Sequence, residues 1–313
     1  MSWIIIAIIA YFLGAVTVIL DKYLLSSEKI SSPPVYAFYV GLLGLGVLVF
    51  WPLGLVFQNF VLEIPSYYQL WISFQSGLFF LAAITTLYFA IKKSEASKVT
   101  PVAFSVVPIV IFAAAMLWGI ETYALEKIIG ICLLIFGGLF ISFDLPLKLN
   151  KKKFFAGFYL SLLAGIFMGY STFLLKLVYA EQNFYNGYVW TRVGAFIGTL
   201  CLLMVPYWRK KILTSLMHSK KKKKENISTG ILFVFNKIIG GTSSALVNVA
   251  IGIGSVTLVS SLISLQYAFV LLIAVIAGKN LPHIFEERLL FWDWAQKVAA
   301  IGIIAGGMFL IST

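Results

Sequence analysis

Two cations stand where an apolar chain has no structural need of charge. Arg192 lies within the apolar stretch 185–207 and Lys237 within 228–250. If these stretches cross a bilayer as helices, Arg192 is about 10 Å in from one side and Lys237 about 13 Å in from the other, at 1.5 Å per residue. A charge at that depth costs about 3 kcal/mol on insertion scales, and such residues normally face a bundle interior or a wet cavity. Arg192 would offer a planar fork to a carboxylate or phosphate, and Lys237 a point charge. Asp21, Glu95, Glu121, Glu181, Glu286 and Glu287 all fall at the ends of apolar stretches or between them. The expectation is a set of intramembrane charges that is wholly positive. It suits recognition of an anion or zwitterion rather than proton relay through a central acid.

Neutral groups could complete such a site. Gln266 and Tyr267 lie midway along 255–278, with Ser260, Ser261 and Ser264 one to two turns earlier, Asn236 is beside Lys237, Gln75 lies in 68–91, and Tyr39 and Trp190 are near the starts of their stretches. A buried amide such as Gln266 needs a partner. For Tyr39 and Trp190, anchoring at the membrane interface competes with a ligand contact. Lys176, near the end of 154–178, can snorkel to the surface. Pro108, midway along 99–119, removes one helical hydrogen bond and is a candidate hinge.

Catalytic patterns are absent from the sequence. There is no Gly-x-x-x-x-Gly-Lys-Ser/Thr phosphate loop. No Ser/His/Asp or Cys/His set shares a depth, and no acid pair is placed for proton work. His218 and His283 lie in polar connections, while Cys132 and Cys201 lie in apolar stretches. Neither a metal site nor a disulfide framework is expected. The chain is read as no enzyme, with no cofactor.

The elements that must position Arg192 and Lys237 follow from composition. Hydrophobic residues make up 61% of the 313 and charged residues 12%. A soluble domain has roughly 45–50% apolar and about 25% charged residues. A membrane helix needs about 20 mostly apolar residues. Ten stretches qualify: 2–20, 34–57, 68–91, 99–119, 125–143, 154–178, 185–207, 228–250, 255–278 and 292–311. The first has no basic region before it and ends in Asp21-Lys22, so it reads as a retained span rather than a cleaved signal. Of the 24 Lys and Arg, nineteen occupy alternate connections, and Lys127, Lys176, Arg192, Lys237 and Lys297 fall in the spans. The +12 net charge is thus an orientation signal rather than a nucleic-acid stripe. Basic loops are expected on the cytoplasmic side of a cell (plasma or inner) membrane, which puts both termini of a ten-span chain outside. The long basic connection 208–227 is expected as a solvated loop against anionic headgroups.

The chain reads twice. Leu13-Gly14-Ala15-Val16-Thr17 aligns with Met168-Gly169-Tyr170-Ser171-Thr172, and seven residues past the glycines stand Asp21 and Lys176. Ser97-Lys98-Val99-Thr100 aligns with Gly254-Ser255-Val256-Thr257, and Gly137-Gly138-Leu139-Phe140-Ile141 with Gly306-Gly307-Met308-Phe309-Leu310. This predicts an all-α integral membrane fold of ten transmembrane helices in two five-helix repeats, 1–147 and 154–313, joined by a basic linker at 148–153. Because five is odd, the repeats are inverted, which is a transporter signature. Glycines four apart (Gly165 and Gly169, Gly194 and Gly198, Gly302 and Gly306) predict close helix seams.

Glu95-Ala96-Ser97-Lys98-Val99-Thr100-Pro101, Val107-Pro108, Gly119-Ile120-Glu121, Gly130 and Gly137-Gly138 together resemble the EamA-type repeat of the drug/metabolite transporter superfamily. The second half is similar through Gly169 to Lys176 and Arg192, but Leu265 or Gln266 stands where the repeat has proline. The resemblance spans about 2–311 and implies a ten-helix carrier of small metabolites, in a superfamily whose substrates range from amino acids and sugar phosphates to nucleotide sugars, lipid-linked sugars and drugs. Its better-known members have cytoplasmic termini, unlike the charge-based orientation here. The expected activity is secondary transport of a small polar, anionic or zwitterionic metabolite by alternating access. The alternatives are a flippase for a lipid or lipid-linked sugar and a non-transporting scaffold or receptor. Expected partners are a small-molecule substrate and membrane lipids, not nucleic acid, and a homodimer stays open as an assembly.

Overall fold

The computed structural model describes residues 2–26, 32–49, 63–93, 96–120, 123–140, 151–217, 223–277 and 291–312. Among the described residues the regular structure is all helical. The helices are α1 (Ser2–Ser26), α2 (Pro33–Gly44), α3 (Tyr67–Lys93), α4 (Ala96–Leu117), α5 (Leu125–Phe140), α6 (Lys151–Glu181), α7 (Phe184–Cys201), α8 (Pro206–Met217), α9 (Lys223–Ile253), α10 (Val256–Ser261), α11 (Ser264–Ala277) and α12 (Phe291–Ser312). Among the described residues five segments are long and apolar enough to cross a membrane: Trp3–Asp21, Tyr67–Lys93, Gly157–Glu181, Phe184–Met204 and Gly230–Ile253. Large apolar side chains such as Ile5, Ile9, Phe235, Ile238 and Phe309 are exposed. In water such a surface would drive association; in lipid it is the solvated face. The architecture fits an integral membrane protein.

Local chemistry sets the helix ends. Asn183 caps α7 by accepting from the Asn186 amide at 2.7 Å. Ser255 caps α10 by accepting from the Leu258 amide at 3.2 Å. Pro33 and Pro34 open α2, where a missing amide proton costs nothing. Gly119, at φ +64°, follows the end of α4 in a left-handed conformation that glycine alone adopts without strain.

Three segments depart from the sequence expectation. Stretch 34–57 is helical only to Gly44 and continues as a tighter 3-10 turn, Leu45–Val49; residues 50–62 lie outside the description. Stretch 185–207 ends early, at Cys201 and the 3-10 turn Leu202–Met204. Pro206 then starts α8, which carries Arg209, Lys210 and Lys211 out of the expected loop into a helix that buries Ile212. In α8's first turns the Lys211 ammonium lies 4.4 Å from the Tyr207 ring centroid, and its charge holds that phenol's pKa below the ordinary value. Stretch 255–278 is two helices, α10 and α11, with a break at Leu262–Ile263. The break is bridged by three-residue bonds, Ile263 N to Ser260 O at 3.2 Å and Leu265 N to Leu262 O at 2.9 Å. The Ser264 hydroxyl also donates to the Leu134 carbonyl on α5 at 2.6 Å. Pro108, by contrast, is buried inside an uninterrupted α4.

Small residues make the seams. A Cβ on Gly165 would lie 2.2 Å from the Ala103 carbonyl oxygen of α4, and one on Gly169 would lie 2.7 Å from Val110 Cβ. On α7, Gly194 approaches Phe74 Cα at 2.8 Å and Gly198 approaches Leu78 Cδ1 at 3.2 Å, measured the same way. The third expected pair is different: a Cβ on Gly302 or Gly306 would meet nothing within 4 Å among the described residues. The α5–α12 seam instead uses Gly137 against Ile304 and Gly307 against the Gly130 carbonyl. One residue turns a helix by about 100°, so Gly307 faces α5 while Gly306 does not.

Candidate functional site

A cavity of about 300 Å³ opens among α1, α3, α4, α6, α7, α9 and the α10–α11 break. Its lining follows helical spacing: Tyr11, Gly14 and Thr17 on α1, and Gly240, Ser243, Val247 and Ile251 on α9. Ser76 and Ser171 close it across α3 and α6 by a reciprocal bond. Each hydroxyl donates to the other's carbonyl, at 3.0 and 2.8 Å. Gln266, just past the break, lines the cavity close to α1. A Cβ on Gly14 would lie 2.9 Å from its Oε1, so glycine leaves room for this amide.

Arg192 is the one charged side chain among the described lining residues. It projects from α7, and its Nη2 donates to the Ser244 hydroxyl of α9 at 2.6 Å. The guanidinium carbon lies 5.1 Å from the Phe80 ring centroid and 5.0 Å from that of Tyr188, two faces that favour a cation. Among the described residues no carboxylate meets it. A guanidinium has five N–H donors, and this arrangement leaves most of them to an anion in the cavity.

Lys237 does not line this cavity. Its ammonium donates to Asp21 Oδ1 at 2.7 Å. The same oxygen accepts from Asn236 Nδ2 at 2.6 Å and from the Tyr36 hydroxyl. Tyr36 is packed edge-on between Tyr88 and Phe233, and the Lys237 ammonium lies 4.7 and 5.5 Å from the Tyr36 and Phe233 rings. The expectation of wholly positive intramembrane charge is therefore corrected. Asp21 ends the apolar run, but α1 continues five residues beyond it and carries the carboxylate to Lys237. Asp21 sits one turn beyond the lining residue Thr17, and Lys237 one turn before Gly240. The four-residue cluster thus lies at one end of the cavity, joining α1, α2 and α9. At the other end of α9, Lys176 donates to the Ile251 and Gly254 carbonyls at 3.1 and 2.9 Å, a favourable place for a cation at a helix C-terminus.

The other sequence candidates are dispersed. The Tyr39 hydroxyl pairs with Ser215 on α8 at 3.2 Å. Trp190 Nε1 donates to the Glu63 carbonyl at 3.1 Å. Gln75 is half-buried on α3 away from the lining. The helix holding Tyr267 is described, but its side chain lies outside the described residues. Arg192, Gln266 and Ser260 are the sequence candidates that share the cavity. Ser244, Asn248, Tyr11 and the Ser76–Ser171 pair were missed, although the three- and four-residue spacing of small and polar positions on α1 and α9 carried the signal. Among the described residues no three His, Cys, Asp or Glu gather as a metal site.

No family model and no curated protein matches the chain. A protein of solved crystal structure superimposes on 99% of this chain and 96% of its own, with a TM-score of 0.66 at 16% sequence identity. At that identity the likeness extends to the fold, and this chain shares it almost end to end.

Proposed function

We propose that the protein is a secondary carrier, an EamA-type transporter built from two inverted five-helix repeats, that moves a small anionic or zwitterionic metabolite by alternating access. The observation that carries this is Arg192, which meets no carboxylate among the described residues and lines a cavity between the two halves of the chain. The packing supports the repeat. Exchanging the halves maps α1 onto α6, α3 onto α9 and α5 onto α12. The close α3–α6 packing then has its counterpart in α9–α1, and α5–α12 maps onto itself. The broken α10–α11 beside the cavity also supports the reading, since carriers commonly place their sites at discontinuous helices.

Alternating access can be tested without knowing the substrate. With Cys132 and Cys201 replaced by alanine, a cysteine introduced by Ser244→Cys is expected to react with membrane-impermeant thiol reagents from both sides of oriented vesicles. Reaction from one side alone would identify a fixed pocket, as a receptor has, and would overturn the carrier.

The same proposal places the basic loops in the cytoplasm and both termini outside. A reporter that is active only in the cytoplasm, fused after Thr313, should give no signal; an active fusion reverses the orientation.

A further inference from the structure

We infer that the ligand is a compact acid that presents an oxyanion at one end and hydrogen-bond donors at the other. The inference rests on the carrier reading and names its substrate class. It comes from where the lining protons already go. The hydroxyls of Tyr11, Thr17, Ser76, Ser171, Thr172 and Ser243 all border the cavity. Each donates its single proton to a backbone carbonyl: those of Val259, Leu13, Ser171, Ser76, Met168 and Ala10. A hydroxyl has one proton and two lone pairs. These six groups therefore offer a ligand lone pairs alone.

The donors are concentrated elsewhere. Arg192 keeps most of its fork, and Ser244, which accepts from Arg192, keeps its own proton to give. The amides of Asn248 and Gln266 and the hydroxyl of Ser260 offer both kinds of group. The cavity is thus polarised, with strong cationic donors at Arg192 and acceptors over much of the remaining polar wall. An oxyanion satisfies the first, and a ligand hydroxyl or ammonium satisfies the second. A second carboxylate would meet hydroxyl lone pairs and lose its hydration without gaining a partner.

Size narrows the class further. About 300 Å³ is the lower end of the range for small-molecule sites, roughly 300–1,000 Å³. That suits a short-chain or one-ring acid and not a nucleotide sugar.

The test is calorimetric titration of the full chain in nanodiscs with five short-chain probes of similar length: 4-hydroxybutyrate, 4-aminobutyrate, butyrate, succinate and butylammonium. The first two should bind more tightly than butyrate, and succinate and butylammonium least. Arg192→Gln should weaken 4-hydroxybutyrate about 10- to 100-fold, the worth of a charged hydrogen bond. Arg192→Lys should recover part of that, because it restores the charge without the fork. The order of affinities is read on the unaltered chain, so it holds even where a variant folds poorly. Succinate binding as tightly as 4-hydroxybutyrate overturns the inference. So does butylammonium matching 4-aminobutyrate, or the absence of millimolar binding by either of the first two probes. Binding needs no transport. One-sided labelling of Ser244→Cys with this affinity order intact sinks the carrier and keeps the ligand class. Two-sided labelling with succinate preferred does the reverse.

Discussion

Replacing Asp21 by Asn should destabilise the protein by about 3 kcal/mol, the lower end for breaking a buried ion pair. The carboxylate and ammonium side chains are 18% and 13% exposed, so water screens them poorly. A neutral amide in place of the carboxylate would leave the Lys237 ammonium with two aromatic faces and no counter-charge. Ring faces stabilise a cation by about 2 kcal/mol when desolvated, which offsets only part of the loss. The Tyr36 hydroxyl and the Asn236 amide would also lose the charged oxygen they share. Lys237→Met alone should cost less, because Asp21 keeps two hydrogen-bond donors. The double variant Asp21→Asn/Lys237→Met should be more stable than Asp21→Asn, since the unpaired charge is gone. Thermal unfolding of the purified chains gives the coupling directly. Equal stability of Asp21→Asn and the parent, or no recovery in the double variant, would show that the pair holds nothing together.

The same variant bears on access. The cluster ties the end of α1 to α2 and to α9 at one end of the cavity, and in the proposed orientation that end is cytoplasmic. Loosening it should speed labelling of Ser244→Cys from the cytoplasmic side and leave the opposite side unchanged. A latch is thus distinguished from a support that merely stabilises the fold.

What the sequence disclosed and what it hid divide along a physical line. Apolar length is a local property, so the helices containing Arg192 and Lys237 were legible, and so was the cost of burying those charges. Partner choice is not local. Asp21 and Lys237 are 216 positions apart, and nothing short of the packed helices shows that they meet. The end of an apolar run is not the end of a helix, because a helix can outlast its apolar stretch by a turn when its next polar residue finds a buried partner. The α10–α11 break was hidden for a different reason. Ser260-Ser261-Leu262-Ile263-Ser264 contains neither glycine nor proline, and its turn is bridged by backbone bonds that any residue can make. At α8 the signal was present in Pro206, but a basic run reads as loop until Ile212 and Trp208 find apolar neighbours.

Glycine spacing was a partial guide, and it yields the sharpest steric expectation. Spacing picked out Gly194 and Gly198 on one side of the α3–α7 seam but not Gly77, which faces them from α3. A Cβ at Gly77 would stand 2.2 Å from the Ala195 amide nitrogen and 2.4 Å from the Thr191 carbonyl oxygen. Both are backbone atoms of α7, so no side chain can rotate away. The helices must separate by roughly an ångström, and that separation would also strain the neighbouring Ser76–Ser171 bonds to α6 and move Arg192, one residue past Thr191. Gly77→Ala should therefore cost more than about 3 kcal/mol, in the range reserved for overpacking against something that cannot yield. It should be read as loss of monodisperse protein or a large fall in thermal stability. Gly302→Ala, whose Cβ would meet nothing within 4 Å among the described residues, should stay within about 0.5 kcal/mol of the parent. If the two substitutions behave alike, the α3–α7 contact is not the close seam described here. If Gly77→Ala folds normally but binds no anion, the seam positions Arg192 without holding the fold. The expected result is that it does both, because the backbone that Gly77 touches is the turn of α7 from which Arg192 projects.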